Sequence, residues 1–336
     1  MVFVSLHKLE TFLRDLLEGC GLTCPDSEAV TDVVIRATMR GVKHHDLYLF
    51  PNHLRALLEG RMNARPSFET LESYHALECW EGDNGLGEIC CSFLMERACR
   101  LADRYGVGVC VMRNTNHFLA AAPYVERASE QGYLALLLAK GDVSMGAPGR
   151  PGRCMGQLPM GYAAPTGGTF PLMMDICMAN VSLGALDQMA ERGERVPEGW
   201  GLAPDASPTT DPMMLRAGTR FPIGGHKGFG LAMLGEVLTG VLGRGAILDR
   251  PEGENFNTHT AIVIKPDTVL NEGGFKRRMD VFLERVDELS PGLHIPGAGN
   301  YRSKQAIVEN GGFTIDDTLV GTLNGLAAQV GRGGLV

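Results

Sequence analysis

The chain opens on a helical pattern of apolar positions. Leu6, Leu9, Phe12, Leu13, Leu16 and Leu17 recur at three- and four-residue spacing, which predicts an amphipathic helix over residues 5–20. Pro25-Asp26-Ser27 interrupts it, and Asp26 or Ser27 is placed to cap a second helix reaching about Arg40. Pro51 and Asn52 start a third, which Gly60 ends, so residues 1–70 read as all helix. After Pro66 the period shortens. A strand is predicted over 73–80, a turn at EGDNGLG (81–87), and a helix over 88–105 burying Ile89, Phe93, Leu94, Ala98 and Leu101. A β-rich run at 106–112 then enters the polar turn Arg113-Asn114-Thr115-Asn116, followed by His117 and a helix to about Gln131. YLALLLA at 133–139 reads as a buried strand ending at Lys140-Gly141-Asp142. Strands near 160–164 and 171–176 and a helix over 179–192 continue the alternation, which predicts an α/β unit over residues 71–215. The remainder, 216–336, reads as a helix at 231–242 entered through FPIGGHKGFG, a strand at 260–264, a helix at 272–288, a loop at 291–302 and a last helix at 316–330.

Composition narrows the class. A chain of 336 residues with 44% hydrophobic and 21% charged residues is an ordinary globule with room for two domains. No apolar run approaches the ~18 residues of a membrane span. The first helix carries acids within its apolar period and does not read as a secretion signal. A net charge of -8 argues against nucleic acid as a partner, though not against a small anion in a local basic pocket. The nine cysteines are odd in number, form no CxxC and mostly lie in apolar runs, which suits free thiols in a reducing cytoplasm better than disulfides or a zinc site.

Chemistry-bearing residues collect at element ends. His117 follows a strand and precedes a helix, where a side chain is held rigidly yet faces a crevice; its imidazole can act as acid or base, or can simply pack in a capping turn. Lys140 ends a buried strand beside Asp142, either snorkelling to the surface or aimed into that crevice. In His44-His45-Asp46 adjacent histidines cannot face one way on a helix, so a bidentate metal pair is disfavoured; His53 can reach the same cleft. Gly224-Gly225-His226-Lys227-Gly228-Phe229-Gly230 precedes a helix and offers N–H groups, a dipole and a cation to a phosphate or carboxylate. It is neither a Walker loop nor the GxGxxG fingerprint, and Gly85-Leu86-Gly87 with Cys90 lacks the third glycine. Asp175, closing PLMMD, can accept from a ribose or amide or cap the helix after it.

Together these stretches resemble the malate/L-lactate dehydrogenase family with the non-Rossmann fold. Arg40-Gly41-Val42 with His45 is similar to its RGxxSHG, Asn116-His117-Phe118 to SNHFG, and Met155-Gly156 with Pro159 to part of LGTNP. Asp175 is similar to the aspartate of DMATS, and Gly224 to Leu231 to GG.KGYGL. Pro197-Gly199-Trp200 with Asp205, Thr210-Asp211-Pro212 and Pro296-Gly297 follow in the family's order. The resemblance implies a mixed-sheet nucleotide-binding domain beside a mainly helical domain built from both chain ends, and a homodimer. It implies an NAD- or NADP-dependent oxidoreductase moving a hydride between nicotinamide and a 2-oxo/2-hydroxy acid or related cyclic imine. His117 is then the general acid/base, with Lys140 and His45 assisting, and with His44, His53, Asn116 and Asp142 toward the substrate. Asp175, Ile176, Cys177, Lys227, Gly228, Gly297, Ala298 and Gly299 are then the cofactor's residues.

The departures cluster on the substrate side. Ser-His-Gly is His44-His45-Asp46, the carboxylate-gripping arginine aligns with Leu49, and a tyrosine aligns with His53. The asparagine of LGTNP is Leu158 and the glutamate of PGE is Ala298. A lost carboxylate clamp forfeits roughly 1.5–3 kcal/mol per charged hydrogen bond. Either another cation serves, or the substrate is not a simple 2-oxo acid, or the chain is a nucleotide-binding relative acting as a sensor or subunit.

Overall fold

The computed structural model describes residues 1–41, 45–248 and 257–336. Its centre is a seven-stranded mixed sheet. In spatial order the strands are Glu69–Tyr74, Leu77–Gly85, Val107–Thr115, Asn257–Ile264, Leu134–Ala139, Met160–Ala164 and Leu172–Ile176. Only Leu77–Gly85 and Val107–Thr115 run parallel; every other neighbouring pair is antiparallel. This is not a doubly wound parallel sheet, which agrees with the missing glycine fingerprint. The strand Asn257–Ile264, far along the chain, lies between Val107–Thr115 and Leu134–Ala139 and pairs with both. Those two strands therefore point the same way, and their ends, Thr115 and Ala139, flank the start of the inserted strand at Asn257 and His259.

The helix Gly87–Tyr105 rests directly on this sheet. A Cβ at Gly108 would lie 2.1 Å from the Ala98 carbonyl oxygen, so only glycine lets helix and strand approach this closely. The helices Leu6–Gly19, Cys24–Met39, Phe50–Leu58, Ala122–Glu130 and Asp317–Gln329 build the adjoining layer. The stripe seen in the first helix is its buried face: Leu9, Phe12, Leu13, Leu16 and Leu17 all lose solvent, each contributing about 1.5–3 kcal/mol. Both chain ends supply this layer, as the resemblance implies. A small four-stranded sheet, from Val143–Met145, Met155–Gly156, Gly201–Leu202 and Thr219–Arg220, flanks the main one.

Several elements differ from the sequence reading. The opening is not all helix: Val2–Ser5 is a strand paired with Gly312–Ile315. Thr23, not Asp26 or Ser27, caps the second helix, its hydroxyl accepting from the Asp26 N–H. The strand read at 73–80 is a hairpin turning at His75, whose φ of 51° does without glycine. Of GGHKGFG only the two leading glycines lie before the helix; His226 to Gly230 form its first turns, since the helix starts at His226. Gly228 must be glycine because a Cβ would meet the Ile223 carbonyl oxygen at 2.2 Å. Likewise Ala298 and Gly299 open a helix, Ala298–Asn310, inside the stretch read as loop.

Candidate active site

Strand, turn and helix meet at His117 as its sequence context suggests. The strand ends at Thr115, and Asn116 anchors the turn beyond it. The Asn116 amide donates to the Asn84 and Gly85 carbonyl oxygens at 3.0 and 2.8 Å, while its own carbonyl accepts from His259 Nε2 at 3.0 Å. The Asn116 side chain is thus committed to the scaffold, and His117 is the group presented. Leu119 then takes a left-handed conformation, φ 66°, which turns its N–H back toward His117 Nδ1 at 3.3 Å. From below, Gly87 touches the turn: a Cβ there would lie 2.2 Å from the His117 carbonyl oxygen and 2.5 Å from that of Asn116.

His117 stands in a cluster of imidazoles. The His45 ring stacks on it, with centroids 5.5 Å apart and planes 24° from parallel. His53, on the helix Phe50–Leu58, places Nε2 3.2 Å from His117 Nδ1. The other His53 nitrogen, Nδ1, lies 2.7 Å from Oε1 of Glu88, which is fully buried in the first turn of the helix Gly87–Tyr105. Burial, reinforced by His53, His45 and His259, holds the His117 pKa well below the ordinary histidine value, so the ring is neutral near pH 7. It nevertheless keeps partial solvent exposure.

Lys140 belongs to the same edge. It follows the strand Leu134–Ala139, is 3% exposed, and donates its backbone N–H to the Thr258 carbonyl at the start of the inserted strand. It is therefore not a snorkelling surface lysine. Asp142, two residues on, is exposed. His44 lies outside the described residues. Asp46 is buried, and its carboxylate accepts from the Tyr48 N–H at 3.0 Å, a turn-forming use. Leu49 packs against the hydrophobic core, so position 49 brings no cation.

The stretches assigned to a cofactor converge on the strand Leu172–Ile176. Asp175 Oδ2 accepts from the Ala122 N–H at 2.7 Å. It thus caps the helix beyond His117, not the helix after its own strand. Its pKa is raised to about 6 by desolvation, against the opposing pull of the Ala122 N–H and Arg40. Asp175 and its neighbour Met174 are nonetheless exposed. One strand end further, Met178 accepts from the Ile223 N–H at 2.8 Å, joining Ile176 and Cys177 to the helix of Lys227 and Gly228. On the other side Met173 donates to Pro296 at 3.2 Å, and Gly297, φ 98°, leaves no room for a Cβ beside Pro171. Lys227 is exposed in the first turn of its helix.

The sequence profile of the malate/L-lactate dehydrogenase family matches residues 4–324. The chain belongs to the malate/L-lactate dehydrogenase family. Among curated relatives it is 28% identical to an L-sulfolactate dehydrogenase of Methanocaldococcus jannaschii, covering 94% of each chain. It is 25% identical to a 2,3-diketo-L-gulonate reductase of Klebsiella pneumoniae, over 94% of this chain and 97% of that one. The solved sulfolactate dehydrogenase from M. jannaschii superimposes with a TM-score of 0.89 at 27% identity, covering 99% of this chain and 98% of that one. Like these relatives, this family member is an oxidoreductase. None of its described helices is long and apolar enough to cross a membrane.

Two residues in contact with this cluster, Glu88 and His259, carry no mark in the sequence. An acid in the first turn of an apolar helix looks like an ordinary favourable charge at the dipole's positive end. His259 lies just ahead of the strand predicted at 260–264, whereas the strand begins at Asn257 and buries His259. Burial lowers its pKa to about 4, so it too is neutral and can serve as a hydrogen-bond strut for the Asn116 carbonyl.

Proposed function

We propose that the protein transfers a hydride between a nicotinamide dinucleotide and the carbonyl or C=N carbon of a 2-oxo/2-hydroxy acid or related cyclic imine, with His117 as proton donor and acceptor. The observation that carries this reading is the hydrogen bond from Ala122 to Asp175. It ties the His117 turn to the strand Leu172–Ile176, which the Pro296–Gly297 loop meets at Met173 and the segment leading into the Lys227 helix meets just past its end, at Met178. The residues fit such a cofactor. A lysine stands exposed at the N-terminus of the helix His226–Glu236, and Gly224 and Gly225 hold consecutive positive φ values of 56° and 61° with open space around them. When bound, the nicotinamide supplies or receives the hydride. His117 offers Nε2, the ring nitrogen that faces neither His53 nor Leu119, to the substrate oxygen or nitrogen. Lys140 adds positive charge at the same sheet edge, where low solvent access strengthens it.

NADH and NADPH oxidation against a panel of 2-oxo acids, including sulfopyruvate, oxaloacetate and 2,3-diketogulonate, and of cyclic imines tests the reading. Turnover of at least one member is expected. Nucleotide binding with no turnover on any would favour a sensor or subunit instead. Lys227→Ala is expected to weaken nucleotide binding about tenfold or more, as loss of one charged phosphate contact of roughly 1.5–3 kcal/mol requires. Unchanged affinity by titration calorimetry would contradict the phosphate site.

A homodimer accompanies this function. Leu231, Leu234, Val237, Val241 and Leu242 lie exposed along one helical stretch, and the helices Gly274–Leu289 and Ala298–Asn310 bury none of their residues. Apolar helical surface on this scale marks a protein contact. Light scattering should give the mass of two chains, and Leu234→Glu together with Val241→Glu should give one.

A further inference from the structure

We infer that the Glu88–His53 pair is a buried proton reservoir that reloads His117 through its Nδ1 face while Nε2 protonates the substrate. The inference rests on His117 being the proton donor proposed above. It comes from counting protons in the hydrogen bonds. The contact between His53 Nε2 and His117 Nδ1, at 3.2 Å, needs one proton. The Leu119 N–H also points at His117 Nδ1, at 3.3 Å, which makes that nitrogen an acceptor. The proton between the rings therefore sits on His53 Nε2, and His117 is the Nε2–H tautomer. The contact of His53 Nδ1 with Glu88 Oε1, at 2.7 Å, needs a second proton. His53 and Glu88 together hold two protons. They are either imidazolium with carboxylate or imidazole with carboxylic acid, neutral as a pair in both cases.

The arrangement answers a difficulty the burial of His117 creates. A neutral imidazole that gives up its only N–H becomes an imidazolate, and a buried imidazolium is disfavoured as well. A proton arriving on Nδ1 as another leaves Nε2 avoids both. In reduction the substrate carbon gains a hydride from the reduced nicotinamide dinucleotide, and the C=O π pair passes to oxygen. That oxygen takes the His117 Nε2 proton, and the His53 Nε2 proton crosses to His117 Nδ1. His117 changes tautomer and stays neutral. The Glu88–His53 pair is left one proton poorer, with Nδ1–H facing the carboxylate, and regains the proton from solvent. Oxidation runs through the same steps in reverse. Both nitrogens of His53 are used within the protein, so His53 is a positioning and relay residue rather than a substrate ligand.

The other titratable groups facing this line are His45 and His259 against His117, and Cys90, Cys91 and Tyr124 against Glu88; burial raises the pKa of the two thiols and the phenol and keeps them protonated. Glu88 Oε2 has no partner among the described residues, so the carboxyl group is held through Oε1 and His53.

Glu88→Gln keeps the shape and removes the carboxylate. It is expected to lower kcat for reduction of the best panel substrate about 100-fold, with KM and nucleotide affinity within about threefold of wild type. In mixed light and heavy water, kcat of the wild type should curve with isotope fraction, as two protons in flight require, and that of Glu88→Gln should not. A variant within threefold of wild-type kcat, or one whose kcat still curves with isotope fraction, overturns the relay. A control separates this from failure of the parent reading, because His117→Ala at wild-type turnover would sink His117 itself. Nitrogen-15 resonances of the histidines in the protein without ligands need neither a substrate nor a variant. They should report His117 as Nε2–H, with Nδ1 unprotonated, and His53 protonated at Nε2. The opposite tautomer of His117 ends the proposal.

Discussion

Turnover of the His117→Ala protein is expected to fall by about 10²–10⁴-fold, with nucleotide affinity nearly intact. The range is that of removing a positioned acid or base. The contacts argue for a loss confined to the chemical step. The His117 ring touches His45, His53 and Phe118, whereas the turn that carries it is held by the Asn116 amide, the Leu119 backbone and the Ala122 bond to Asp175. Removing the ring leaves that backbone frame, and hence the strand Leu172–Ile176, in place. Steady-state rates with direct nucleotide titration separate the two effects. A variant that turns over normally would show that some other group handles the proton.

Gly87→Ala is expected to cost about 1–3 kcal/mol of stability and roughly 100-fold in turnover, although Gly87 is not on the substrate side of the turn. Alanine is the better helix former by about 1 kcal/mol, so propensity alone predicts stabilisation. Sterics reverse the sign. The added methyl group would lie 2.2 Å from the His117 carbonyl oxygen, and both contacts are backbone, which cannot swing aside as a side chain can. Either the helix Gly87–Tyr105 withdraws, taking Glu88 with it, or the turn lifts and His117 moves. Both outcomes disturb the His117–His53–Glu88 line by the fraction of an ångström that proton transfer does not tolerate. Denaturant midpoints and kcat measured together check this. A variant as stable and as active as the parent would show that the helix end and the turn are less tightly coupled than their contact implies.

The order of strands and helices through residues 88–140 could be read from the chain, because the period changes there are sharp and each change carries Gly, Pro or a polar run. His117 and Lys140 were legible for the same reason: both stand where a period ends. Pairing across distance could not be read. Nothing in the run from Asn257 to Ile264 announces that it enters the middle of a sheet whose neighbours lie more than a hundred residues earlier. The hairpin at His75 reads as one strand because its turn lacks glycine, proline and asparagine. The glycines around Lys227 and the Pro-Gly at 296–297 suggest loops, whereas Gly228 and Gly297 serve close backbone contact inside or at the start of helices. Glu88 is the most telling omission. Its role depends wholly on His53, thirty-five residues earlier, and a lone acid at a helix start carries no mark of a partner.

The inserted strand also sets when this enzyme comes into being on the ribosome. Until Asn257–Ile264 has been made, the two strands that bear His117 and Lys140 have an empty lane between them, with two rows of backbone amides and carbonyls awaiting a partner. A nascent chain three-quarters complete already holds both groups yet cannot fix the distance between them. The spacing of the two groups is therefore set in one late event, and the open lane before it is the stage at which a chaperone has most to protect.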